Sequence, residues 1–198
     1  MSTKILFQLS GSIACYKACQ LISRLVQEGH EVQPVASRSV SQFIGMATLE
    51  GLTHKPVFND LYAPGRMLDH IRLAKWADLA IVCPASANTI NRLAQGLADD
   101  CIGALFLAYD LRKPYLLAPA MNHEMMGHPA VRASLEKLKS WNVEVLSTSV
   151  GYQACGDIAP GRLLDIDLIY ERVFSRLKTG AGHEPRERIL ANAVGSFG

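Results

Sequence analysis

Apolar and polar positions along the chain fall into two alternating rhythms. Residues 4–9, KILFQL, form a short apolar run that ends at Ser-Gly-Ser and reads as a first strand. From Ile13 to about Glu28 the residues Ile13, Tyr16, Leu21, Leu25 and Val26 recur at mostly helical spacing, and Gly29 stops the helix. HEVQPVAS, residues 30–37, resumes as a strand and completes a strand–turn–helix–strand unit. The pattern then repeats. It predicts a helix near 39–51, a strand buried on both faces over 77–86 (ADLAIVCPAS) and a helix over 87–99. A strand over 113–121 (KPYLLAPAM), a helix around 129–140 and a last strand over 143–147 follow. Such alternation predicts an α/β fold: one doubly wound, mostly parallel sheet of flavodoxin-like or Rossmann-like type, with helices on both faces. The domain spans 1–178, and residues 179–198 form a weakly patterned tail, either mobile or the stub of something longer.

Composition narrows the function without naming it. The 198 residues suit one ordinary domain, and the formal charge of +2 gives no general reason to expect nucleic acid or a membrane surface. No apolar run reaches the ~18 residues that a membrane helix needs. The opening MSTKILFQLSGS has too short an apolar stretch for a secretory signal. Five cysteines, at 15, 19, 83, 101 and 155, sit mostly inside apolar stretches, which fits a reduced, cytoplasmic compartment. Cys15 and Cys19 have no matching second pair, so they read as small helix-packing residues and no metal is expected.

Ligands of doubly wound sheets sit at the carboxyl ends of the strands, and the chemistry-bearing residues fall there. Ser10, Gly11 and Ser12 lie between the first strand and first helix, where backbone N–H groups meet anions. Neither G-x-G-x-x-G nor a Walker lysine is present, so one monophosphate fits better than a pyrophosphate. Ser37, Arg38, Ser39 and Ser41 follow the second strand, either as an N-cap series or as a second anion-binding turn. CPASANT, 83–89, ends the third strand at Pro84 and offers Ser86, Asn88 and Thr89 at a helix start, more polar groups than one cap requires. APAMNHEMM, 118–126, offers the Asn122 amide beside Met121, Met125 and Met126. His70 stands alone in MLDHIRLAKWAD, where pattern does not separate a surface histidine from a catalytic one. GYQACGDIAPGR, 151–162, is polar and bendable yet carries a thiol at Cys155.

Taken together and in order, SGSIACYK, HIRLAKWAD, PASANT, PAMNHEMM and ACGDIAPGRLLD resemble the homo-oligomeric flavin-containing cysteine decarboxylases. The resemblance covers nearly all of residues 4–170 and is strongest to the bacterial branch acting on 4'-phosphopantothenoylcysteine in coenzyme A synthesis. It implies bound FMN and decarboxylation to 4'-phosphopantetheine. The cysteinyl substrate is oxidised transiently to a thioaldehyde, loses CO2, and the enethiol is re-reduced. The resemblance places FMN against Ser10, Gly11, Ser12, Ser37, Ser39, Ser86, Ala87, Asn88, Thr89 and Ala120. It makes His70 a proton-transfer group, Asn122 a ligand of the substrate carboxylate or amide, and Cys155 the proton donor of the reductive step. Met121, Ala154, Gly156, Lys75 and Arg162 join them around the substrate, with Lys75 a cation for its carboxylate and Arg162 a clamp residue or phosphate ligand. Gly151 and Gly156 let this segment fold over the substrate.

The family implies a trimer, or four trimers together, with flavin and the histidine segment meeting across a subunit boundary. A separate phosphopantothenate–cysteine ligase is the expected partner. Three positions depart from the family pattern: Met126 where Trp is frequent, Arg72 where an acid is common, and Ala159 where Gly is usual. Two rivals remain. A peptidyl-cysteine decarboxylase of lantibiotic type would stop at the enethiol and need no reductive acid, so Cys155 argues against it. A non-catalytic flavin-binding regulatory subunit has no need of His70, Asn122 and Cys155 together.

Overall fold

Alternating side chains of each central strand leave for opposite faces, and both faces are dry. In β1 (Lys4–Leu9), Ile5, Phe7 and Leu9 join one core cluster and Leu6 the other. β3 (Leu79–Ala85) does the same with Leu79, Ile81 and Cys83 against Ala80 and Val82. A strand buried this way has no polar face, which is why these runs read as continuously apolar. Complete burial of each such Leu, Ile or Phe contributes about 1.5–3 kcal/mol.

The computed structural model describes residues 2–152, Gly156 and 158–180. Ala154, Cys155 and residues 181–198 of the tail lie outside them. Among the described residues, β1, β2 (Glu31–Ala36), β3, β4 (Tyr115–Pro119) and β5 (Val143–Val145) form one parallel sheet in the order β2-β1-β3-β4-β5. α1 (Cys15–Gln27), α2 (Met46–Thr53) and α8 (Ile166–Gly180) cover one face. α3 (Asp69–Trp76), α4 (Ala87–Ala94), α5 (Cys101–Ala108) and α7 (Pro129–Ser140) cover the other. α6 (His123–Gly127) is one short turn before α7. β6 (Ser149–Tyr152) and β7 (Ile158–Arg162) make a separate antiparallel pair.

The doubly wound sheet predicted from the alternation is therefore present, and several boundaries differ. The stretch near 39–51 is a 3₁₀ turn over Arg38–Gln42 followed by α2. The helix expected over 87–99 stops at Ala94, because Gly96 adopts φ +68° and Asp100 caps a new helix by accepting from the Gly103 N–H at 2.8 Å. Pro84 does not end β3: the strand runs to Ala85 with irregular register after Val82. The helical phase of α1 also shifts. Its buried face is Cys15, Ala18, Leu21, Ile22 and Leu25, whereas Ile13 and Tyr16 are 62% and 55% exposed.

α8 fastens the far end of the chain to the sheet and to α1. Glu144 of β5 takes Arg172 and Arg176, and Arg24 of α1 reaches Asp167 at 2.8 Å. Tyr170 donates its hydroxyl to Glu28 and stacks under the Arg24 guanidinium. The arginines and Asp167 in these contacts are solvent-exposed, so the buried Ile169 and Val173 hold the helix and the ion pairs set its orientation.

α5 passes so close to the preceding loop that only glycine fits at position 103. A Cβ there would stand 2.0 Å from the Leu97 carbonyl oxygen and 3.1 Å from the Ala98 Cα, both backbone atoms. Gly103→Ala is therefore expected to cost about 1–3 kcal/mol through forced backbone movement. A urea titration checks it, and an unshifted midpoint would contradict the packing described.

Candidate active site

Strand order reverses between β1 and β3, because the chain leaves β1 toward β2 and returns to place β3 on the other side. The two loops that leave their carboxyl ends diverge, and a crevice opens between them. Ser10 spans that crevice. Its hydroxyl donates to the Pro84 carbonyl at 2.8 Å and accepts the Ser86 N–H at 2.8 Å, while its own N–H reaches Pro84 at 3.2 Å. The Cys15 thiol donates to the Ser10 carbonyl at 3.3 Å. Ser10 is fully buried, so its hydroxyl is saturated inside the protein and shapes the site from beneath.

Small side chains line the rim above it. Gly11 faces the loop after β2: a Cβ at that position would lie 2.4 Å from the Ser39 Oγ. The Ser37 and Ser39 hydroxyls are 3.1 Å apart, and the Ser37 N–H is held by the Leu9 carbonyl. Ser86 caps α4 by accepting the Thr89 N–H at 3.3 Å, leaving Asn88 exposed in the first turn with Ala87 buried behind it. The Ala120 N–H is held by the Ala85 carbonyl, which brings the end of β4 beside the end of β3. Hydroxyls, an amide, a helix N-terminus and a glycine cradle, with no carboxylate among these rim residues, suit a phosphate-bearing group.

A cavity of about 620 Å³ adjoins this rim, within the usual range for a small-molecule site. Ser12, Ile13 and Ala14 border it from the first turn, Ala120, Met121 and Asn122 from the end of β4, and Gly161, Arg162 and Leu163 from β7 and beyond. The Asn122 side chain caps α6 through the Glu124 N–H at 2.9 Å. The Met121 N–H donates to the Gly161 carbonyl at 2.9 Å and ties the hairpin to the β4 turn. Tyr16, Lys17, Tyr152 and Leu163 also line the cavity and were not singled out from sequence. Lys17 carried a signal: a cation in the first turn of a helix opposes the helix dipole and asks for a reason.

Other candidates lie elsewhere. Lys75 is exposed near the end of α3, and its carbonyl takes the Lys113 Nζ at 3.1 Å just before β4 begins. That is the amino end of the sheet, apart from the cavity that Asn122 borders. His70 occupies the first turn of α3 outside the cavity, half-buried, with its Nδ1 buried and without a hydrogen-bond partner among the described residues. Asp69 beside it is buried and takes Arg66 at 2.8 Å as well as Arg72, which accounts for a cation at position 72. Gly156 is exposed at φ +97°, and Cys155 and Ala154 fall outside the described residues.

The described cysteines are not reactive groups. Burial pushes the thiols of Cys15, Cys19 and Cys83 up, and that of Cys101 up to about 12. They behave as small apolar residues, as the helical spacing of Cys15 and Cys19 suggested. Among the described residues no group of His, Cys, Asp and Glu is placed to hold a metal, and no helix is long and apolar enough to cross a membrane.

Known proteins share this arrangement. The family profile described as Flavoprotein matches residues 1–178. A probable phosphopantothenoylcysteine decarboxylase of Streptococcus mutans is 37% identical over 179 residues, covering 89% of this chain and 100% of that protein. A PPC decarboxylase mutant solved in complex with pantothenoylaminoethenethiol superposes with a TM-score of 0.81 at 28% identity, over 90% of this chain and 100% of that one. The FMN-binding protein AtHal3 superposes with a TM-score of 0.79 at 29% identity, over 90% of this chain and 98% of that one. The chain spans only about 40% of the length of the bifunctional coenzyme A biosynthesis proteins it matches, such as that of Vibrio vulnificus.

The Asp69 clamp at the start of α3 has a pH signature. Burial raises the carboxyl, but hydrogen bonds and charge from Arg66 and Arg72 outweigh it, leaving Asp69 below its ordinary value of 3.8. A carboxylate whose folded pKa is depressed stabilises the fold above that value and loses the contribution as pH falls through the folded pKa. Asp69→Asn should therefore lower the melting temperature at about pH 6, and the gap from the unaltered chain should shrink toward about pH 3. A gap that stays constant over this range would remove Asp69 from the account.

Proposed function

Because this chain belongs to the flavoprotein family, we propose that it is an FMN-dependent phosphopantothenoylcysteine decarboxylase, converting 4'-phosphopantothenoylcysteine to 4'-phosphopantetheine in coenzyme A synthesis. One observation carries the reading: the similarity to the Streptococcus mutans decarboxylase runs the whole length of that protein. When bound, FMN supplies a two-electron acceptor and donor, which lets the cysteinyl β-carbon be oxidised before CO2 leaves and the enethiol be reduced afterwards.

The residues of this chain hold and move the other parts. Gly11, Ser12, Ser37 and Ser39 cradle the cofactor with Ser86, Ala87, Asn88, Thr89 and Ala120, and Ser10 sets their spacing. Asn122, fixed at the start of α6, presents its amide to the substrate carboxylate or amide, beside Met121. Arg162 borders the same cavity on β7. Met126 packs against the core where Trp is frequent in relatives, so the apolar wall persists with a smaller side chain. Cys155 delivers the proton that completes reduction of the enethiol, with Ala154 and Gly156 beside the substrate. Ala159 pairs with Gly151 in the hairpin ladder.

His70 transfers its proton at the site of a neighbouring copy, in a trimer or in four trimers together. Its buried Nδ1, unpartnered among the described residues, and its place outside the lining of this chain's own cavity support that placement. So do Tyr62, Met67 and Leu68, which are exposed by 77%, 66% and 68% just ahead of it in the chain. A cytoplasmic location and supply of substrate by a separate cysteine-adding ligase complete the reading.

Incubation with 4'-phosphopantothenoylcysteine followed by mass analysis tests it: the product should have lost CO2 alone. Cys155→Ser should release CO2 yet yield a product lacking two further hydrogens, the enethiol. Normal phosphopantetheine from that variant would remove Cys155 from the mechanism. His70→Asn should slow turnover by about 100-fold or more, the usual contribution of a positioned proton-transfer group. Near-normal turnover would exclude it.

A further inference from the structure

Asp69 is the one charged side chain that is buried among the described residues, at 7% exposure. A buried carboxylate costs free energy unless it is paired, and a well-packed apolar residue would stabilise a helix start at least as well. The reason for a charge there lies in what it holds. Its Oδ2 accepts the Arg66 Nε–H at 2.8 Å, its Oδ1 accepts from Arg72, and its backbone N–H donates to the Arg66 carbonyl at 2.9 Å.

Arg66 in turn is tied to the sheet. Its Nη1 donates to the Val57 carbonyl at 3.1 Å, and its guanidinium stands 5.3 Å from the Phe58 ring centre. Phe58 is fully buried and bridges the edge of β2: its N–H donates to the Pro34 carbonyl, and its carbonyl accepts the Ala36 N–H. Ala36 leads directly into Ser37 of the rim. A continuous path therefore runs from Ser37 through Phe58, Arg66 and Asp69 to His70.

Little else holds the first turn of α3. The helix has eight residues, no side chain caps its start, and its buried residues are Asp69 and Ala74. Leu73 and Trp76, half-buried against the core, lie in its second half. Beside the charged group a cavity of about 520 Å³ opens, lined by Arg66, Asp69 and Arg72 as well as by Trp76. Apolar packing thus anchors the end of the helix, and the Arg66–Asp69 pair orients the turn that carries His70.

We propose that Arg66 and Asp69 are positioning residues for the proton transfer by His70, fixing its ring relative to the edge of the sheet. The inference rests on the role given to His70 above and adds what aims it. A reacting group misplaced by about 1 Å can lose about 100-fold in rate, so the pair acts on turnover and not on substrate binding. Arg72, 70% exposed, adds charge from the solvent side.

A double-mutant cycle on the flavin-loaded protein tests it, with 4'-phosphopantothenoylcysteine as substrate. Asp69→Asn and Arg66→Met should each lower kcat by about tenfold and leave KM within about twofold. Either change placed in the His70→Asn background should cause no further loss, because residues that act as a unit are not additive. Arg72→Ala should leave kcat within about twofold, as expected for an exposed ion pair. An equal fall there would assign the effect to charge alone and overturn the role of Arg66. A loss that persists in full without His70 overturns the proposal, since the pair would then serve folding alone. So does an unchanged kcat in Asp69→Asn. If Asp69→Asn does not fold, Asp69→Glu replaces it, and its smaller fall in kcat should likewise vanish in the His70→Asn background. If the unaltered chain releases no CO2, the function proposed above falls, and the tie is read by NMR instead. In histidine-labelled protein the ring signal missing from His70→Asn should shift in Arg66→Met, while that of His128 stays. An unmoved His70 signal overturns the tie.

Discussion

The Ser10 hydroxyl is the constraint on which the site depends. Two strands that sit side by side send their chains in opposite directions at this point, and nothing in the sheet ladder beyond β1 and β3 keeps their loops at a fixed distance. Ser10 does so with one oxygen, donating to Pro84 and accepting from Ser86. Both partners are backbone groups of the segment that leads into α4, so the position of the α4 N-terminus follows from the end of β1. A buried hydroxyl with both directions satisfied stabilises modestly, yet removing it leaves the Ser86 N–H without this partner and the Pro84 carbonyl with only the Ser10 N–H at 3.2 Å, which costs about 1–3 kcal/mol. The geometry of the cradle above is thereby coupled to the integrity of the core below.

From that fixed crevice the rest of the site extends toward β4 and the hairpin. Ala120 is held to Ala85, and Met121 is held to Gly161, so a chain of backbone hydrogen bonds runs from the third strand through the fourth to β7. Each link carries a residue with a role: Ala85 leads into the Ser86 cap, Met121 precedes Asn122, and Gly161 precedes Arg162. The rim above Ser10 and the cavity beside Asn122 are consequently joined through one set of backbone hydrogen bonds. Burial pushes the described thiols up, and in the function proposed above proton delivery falls to Cys155, which lies outside the described residues. His70, the proposed proton-transfer group, sits in the first turn of α3, where the Asp69 clamp fixes the helix start.

Much of this was legible from the residues. Continuous apolar runs identified β1, β3 and β4, and the loops after them were the right places to look, because a parallel sheet has a chemically active end. Ser12, Ala120, Met121, Asn122 and Arg162 do meet around one cavity. Lys75 stands apart from that cavity, because a helix that feeds a strand carries its last residues to the opposite end of the sheet, which spacing along the chain does not reveal. In α1 the large apolar residues Ile13 and Tyr16 were taken for core, while small ones such as Cys15 and Ala18 fill it. The two large side chains border the cavity instead. α5, CIGALFLA, is apolar nearly all round and so shows no helical face in its sequence. The β6–β7 pair escaped notice because glycine and proline break its alternation, and among the described residues each strand pairs with the other alone.

The frame built on Ser10 is tested most directly by FMN binding to Ser10→Ala, measured by flavin fluorescence against the unaltered protein. Loss of the bridge should leave the protein folded, judged by its far-ultraviolet circular dichroism, and weaken FMN binding by about tenfold as the α4 N-terminus drifts from β1. Equal affinity in the two proteins would contradict the account, since the cradle would then stand without the hydroxyl proposed to set it.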